Sequence, residues 1–119
     1  MDQLKEFERL CLLHHELLWN KYDAAAANKV YKKTERLAVR MFHEGTLQQL
    51  EQLFTHDHYN VRLLSAAHSL LKNEQNAVAA LESLFEDADP HYSRDAMRTL
   101  MAWQQGKTRD YYEGLFGDK

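Results

Sequence analysis

Proline occurs once in this chain, at Pro90, and glycine only four times in 119 residues. Both residues mark tight turns, so their scarcity suits long helices with short connections better than a β-fold full of turns. Cysteine is represented by Cys11 alone, which excludes an internal disulfide and any thiolate metal cluster. No apolar run approaches the roughly 18 residues that a membrane-crossing helix needs. The first ten residues, MDQLKEFERL, carry charge where a secretory leader would carry an apolar core. A cytoplasmic protein is the expectation. Excess positive charge is also missing: 15 Lys and Arg against 18 Asp and Glu give −3 with His neutral. No general attraction to nucleic acid or to an anionic membrane arises from that balance.

What the chain has is ordinary globular composition, 45% hydrophobic and 28% charged, in a length suited to one helical domain over 1–119 that buries roughly two-thirds of its unfolded surface. Leu4, Phe7, Cys11, His14 and Leu18 recur at helical spacing and predict a first helix over about 2–21. Asp23 caps a second helix that opens on Ala24 to Ala27, shows Val30, Thr34, Leu37, Ala38 and Met41 on one face, and stops at Gly45. Thr46 caps a short third helix with Leu47, Leu50, Leu53 and Phe54, and Asp57 or Asn60 caps the next. That next segment, Val61 to Leu71, is apolar on nearly every side, so it belongs at the centre of the fold. Ala77, Leu81, Leu84 and Phe85 mark a fifth helix. Asp89-Pro90 starts a sixth, with Tyr92, Ala96, Leu100 and Trp103 before Gly106. Thr108 caps a last short turn holding Tyr111, Tyr112, Leu115 and Phe116.

Leu50-Glu51-Gln52-Leu53-Phe54 recurs as Leu81-Glu82-Ser83-Leu84-Phe85, and Ala66 to Leu71 recurs more loosely as Ala96 to Met101. A repeat near 30 residues is the signature of stacked helical hairpins. The expected organisation is an irregular capping helix pair over 1–45, hairpins over 46–72 and 74–106, and a tail over 107–119. The pattern Leu50-x-x-Leu53-Phe54, Asp57, Val61-Arg62, Ala66-Ala67-x-x-Leu70-Leu71 resembles a HEAT repeat. With Asp95-Ala96-x-x-Thr99-Leu100-x-x-Trp103-x-x-Gly106, residues from about Thr34 to Gly106 resemble a small bacterial family of HEAT-like helical domains. The second repeat lacks the Val-Arg pair, with Tyr92-Ser93 nearest that position. The resemblance implies an all-α fold, a short HEAT-like stack of about three helical hairpins, with no assigned chemistry. Some similar small proteins are immunity proteins of contact-dependent inhibition and other toxin systems. No cofactor is implied.

The side chains that could carry chemistry each have a plainer role. His56-Asp57-His58 puts two imidazoles and a carboxylate in one turn, as in a metal-dependent hydrolase of the helical His-Asp type, but no second set of ligands at metal spacing accompanies it. His14 and His68 lie on apolar stripes, where hydrogen-bonded core histidines are expected, and Cys11 beside His14 has no orienting acid. Lys29, Lys33, Arg36 and Arg40, with Lys32 alongside, form a basic stripe able to grip nucleic-acid phosphates; Glu35 and Glu44 dilute it, and it occupies the face where solvated charge is expected. Glu82, Glu86, Asp87, Asp89 and Asp95 form an acidic counterpart next to Tyr92, with Tyr112 in the aromatic tail. Charge steers a basic partner and aromatics anchor it. The expected partner-binding residues are therefore Glu82, Glu86, Asp87, Tyr92, Asp95 and Tyr112, on a non-enzymatic immunity protein that occludes a basic toxin domain.

Overall fold

Side-chain oxygens start the long helices where the sequence places them. In the computed structural model, which describes residues 2–87 and 89–117, Asp23 Oδ1 accepts the Ala26 N–H at 3.0 Å to open α2, Ala24–Glu44. Asp89 Oδ1 accepts the His91 and Tyr92 N–H groups to open α5, Pro90–Gln104, with Pro90 in the first turn where its missing N–H costs nothing. The other helices are α1, Gln3–His15; α3, Tyr59–Ala67; α4, Glu74–Asp87; and α6, Lys107–Phe116. The chain is all-α, with no strand among the described residues. None of the described helices is long and apolar enough to cross a membrane.

Two compact units divide the chain, Met1–Leu47 and Gln48–Lys119. The first is the α1–α2 hairpin. Phe7, Leu10, Cys11, Ala27, Val30, Leu37, Ala38 and Met41 are its buried apolar residues. The expected first helix over 2–21 is α-helical only as far as His15; Glu16–Asn20 widens to a π-turn, where Lys21 donates five residues back to the Glu16 carbonyl. Tyr22 then takes φ 54 at the hairpin tip, a left-handed conformation that L-residues resist. Gly45, at φ 78, closes α2 as expected. Thr46 does not cap the segment after it. Its hydroxyl donates to the Met41 carbonyl and to Gln3, finishing α2 instead.

The second unit holds α3 to α6, in which each helix packs against the next and α3 also meets α5. Its centre is the expected segment: Val61, Leu63, Leu64 and every residue from Ser65 to Leu70 are buried. The α-helix ends at Ala67, however, and His68 to Lys72 continue as turns, because Ser65 and Ser69 turn their hydroxyls back onto backbone carbonyls. Leu47–Leu53 is a 3-10 segment, whereas its sequence counterpart Leu81 to Phe85 lies within α4. Asn73 and Asn76 both donate to Glu51 in that segment. The last turn is longer than expected, a ten-residue helix that starts after Gly106 rather than on Thr108.

Candidate protein-binding face on α4 and α5

The α4–α5 hairpin is pinned at both ends. At one end the Ser93 hydroxyl donates to the Phe85 carbonyl at 2.7 Å. At the other, Trp103 Nε1 donates to Glu74 at 2.9 Å, and Arg109 stacks 4.3 Å from the Trp103 ring while reaching the same carboxylate at 3.5 Å. Met97 and Met101 follow Ser93 on α5 at four-residue intervals. Met97 is 39%, Met101 49% and Phe85 45% exposed. On α4, Val78, Glu82 and Glu86 also recur at four-residue intervals, and an open depression of about 610 Å³ lies against Glu74, Gln75, Val78, Ala79 and Glu82 of this helix.

The acids cluster at the C-terminal end of α4. Glu82, Glu86 and Asp87 are exposed, and none makes an ion pair with a described residue. Asp87 accepts only the Ser83 hydroxyl, at 3.4 Å, and its carbonyl accepts the Tyr59 phenol. Asp95 is half-buried with Arg98 3.7 Å away; burial raises its carboxyl above the ordinary value against the opposing pull of Arg98. A hairpin that carries both exposed apolar side chains and carboxylates without ion-pair partners offers the two elements that charge-steered protein recognition uses.

Two of the expected contact residues require correction. Tyr92 and Tyr112 are each only 4% exposed. Tyr92 stacks at 6.0 Å on Tyr59, and Tyr112 lies 2.6 Å from His68 Nδ1 with Phe116 5.8 Å from its ring. Both belong to the core of the second unit, because they sit on the inward stripes of α5 and α6. The exposed aromatic of the tail is Tyr111, at 48%. Phe85, Met97 and Met101 are the side chains that sequence reasoning missed. A signal was available: Phe85 lies about 75° from the centre of the Ala77, Leu81, Leu84 stripe, and Met97 about 100° from Ala96.

The other candidate residues are occupied structurally. His56 Nδ1 accepts the His58 N–H at 2.9 Å, and His58 Nδ1 accepts the Asn60 N–H at 3.1 Å, so His58, rather than Asp57 or Asn60, caps α3. No group of three or more His, Cys, Asp or Glu able to hold a metal occurs among the described residues. Cys11 is fully buried, and burial pushes its thiol far above the ordinary value. Burial, and then the neighbouring His15, lower His14, whose ring stands 5.9 Å from Tyr31. Lys29, Lys32, Lys33, Arg36 and Arg40 are exposed along α2. Of the two acids among them, Glu35 is buried at 2%, and Glu44 accepts from Gln3 at 2.8 Å.

The chain matches no model of a known protein family, no curated protein and no solved structure.

Proposed function

We propose that this chain is a binding protein with no reaction of its own, whose α4–α5 face receives a basic protein domain. The observation that carries it is that the α4–α5 hairpin exposes Phe85, Met97 and Met101 and also carries Glu82, Glu86 and Asp87, which make no ion pair with a described residue. Fully burying one such apolar side chain is worth about 1.5–3 kcal/mol; these three are already partly covered, so roughly half of that remains for a partner. The carboxylates accelerate encounter with a cationic surface and penalise an anionic one. The engagement of His56, His58, His68 and Cys11 in capping and packing supports a binding role over a catalytic one. The sequence resemblance to small HEAT-like immunity proteins narrows the partner to a bacterial toxin domain met in the cytoplasm, which this protein occludes.

Co-expression with the product of the adjoining gene tests this. A growth-arresting product whose effect this chain relieves is expected, with relief lost in Glu86→Lys/Asp87→Lys. Arrest unaffected by the chain, or relief undiminished by that double substitution, overturns the proposal.

A further inference from the structure

The first unit carries a second feature of opposite charge. A cleft of about 210 Å³ between α1 and α2 is lined by Glu6, Leu10, Lys33, Arg36, Leu37 and Arg40. Leu10 and Leu37 are each 3% exposed and form an apolar floor. The three cations make no ion pair or hydrogen bond with a described residue. The cleft's one acid is already taken: Arg9 donates to both Glu6 oxygens, at 2.9 and 2.7 Å. Lys33 and Arg40 nonetheless lie close enough to lower the Glu6 carboxyl, after the larger effect of Arg9. The cleft therefore holds a closed Glu6–Arg9 pair and a surplus of three positive charges around an apolar base.

We propose that this cleft binds a small molecule carrying linked phosphate groups. A lone phosphate carries only about −1.5 to −2 at pH 7 and leaves part of the threefold positive charge unbalanced. Two or more linked phosphates span successive turns, with Arg36 and Arg40 gripping them by their planar guanidinium forks and Lys33 contributing a point charge. The volume equals roughly seven waters at about 30 Å³ each, enough for a pyrophosphate moiety and too small to enclose a whole nucleotide. The rest of such a ligand projects outward. This site stands independently of the α4–α5 face.

Titration of the full chain with inorganic pyrophosphate by calorimetry at physiological salt tests the assignment. Saturable one-to-one binding is expected, weakened about tenfold by Arg36→Gln and again by Arg40→Gln, the cost of one charge-assisted contact each. Lys29→Gln/Lys32→Gln, on the same helix outside the cleft, leaves the affinity within about twofold, and Glu6→Gln raises it by removing the competing carboxylate. All these side chains are exposed or half-buried, and unchanged circular dichroism verifies the fold of each variant. Absence of saturable binding overturns the proposal. So does equal weakening by the Lys29/Lys32 pair, which marks diffuse charge attraction, or binding of single-stranded oligonucleotide without binding of pyrophosphate, which marks a nucleic-acid surface.

Discussion

The phenolic oxygen of Tyr112 lies 2.6 Å from Nδ1 of His68, joining α6 to the turn that ends the most buried segment of the chain. Both side chains are buried, and their rings meet edge-on at 5.7 Å. This contact holds the aromatic tail on the core of the second unit and removes Tyr112 from any partner surface.

Tyr112→Phe removes one hydroxyl from that contact without changing the ring. Loss of a buried hydrogen bond costs about 1–3 kcal/mol. Urea unfolding is expected to report that loss at constant m-value, while partner affinity stays as in the unsubstituted chain.

His58 caps α3 with its ring nitrogen. His58→Ala is expected to destabilise by about 1 kcal/mol, and His58→Asn to restore most of that, because asparagine is a preferred cap. Thermal unfolding of the two variants side by side checks the order; equal loss in both contradicts a capping role.

Cys11 supplies a pH dependence. The unfolded thiol ionises near about pH 8.5, whereas burial holds the native thiol protonated well beyond that. Above that pH the native state retains a proton that the unfolded state has released. Stability from this group is therefore fully present below about pH 8.5 and falls above it by about 1.4 kcal/mol per pH unit. Between pH 8.5 and 10 the stability of the unsubstituted chain should decline more steeply than that of Cys11→Ala, and thiol reagents should react only on unfolding.

Locally determined features were legible in the sequence. Asp23 and Asp89 open helices, Gly45 closes one, and Pro90 sits in a first turn, because these choices depend on one or two neighbouring residues. The buried stretch from Val61 to Leu70 was legible from composition alone. The exposure of Glu82, Glu86 and Asp87 was legible, since a charge without an opposite neighbour at helical spacing stays solvated, but the burial of Tyr92 and Tyr112 was not. Whether Tyr92 and Tyr112 face inward depends on Tyr59 and His68, residues 33 and 44 positions away. The 3-10 form of Leu47–Leu53 was equally hidden, because its leucine pattern matches that of α-helical Leu81 to Phe85.

The α4–α5 face itself is open to substitution without unfolding, since Phe85, Met97, Glu86 and Asp87 are exposed. Charge reversal at Glu86 and Asp87 should slow association and flatten its dependence on salt, whereas Phe85→Ser with Met97→Ser should speed dissociation. Stopped-flow kinetics with the captured partner separate the two effects.

The most direct measurement is the partner affinity of four forms of the chain: unsubstituted, Glu86→Lys/Asp87→Lys, Phe85→Ser/Met97→Ser, and Tyr112→Phe. The partner is the protein retained from host lysate by the unsubstituted chain. The account predicts at least tenfold weakening in each of the two surface doubles and no change in Tyr112→Phe. Equal affinity across all four, or no retained protein at all, contradicts it.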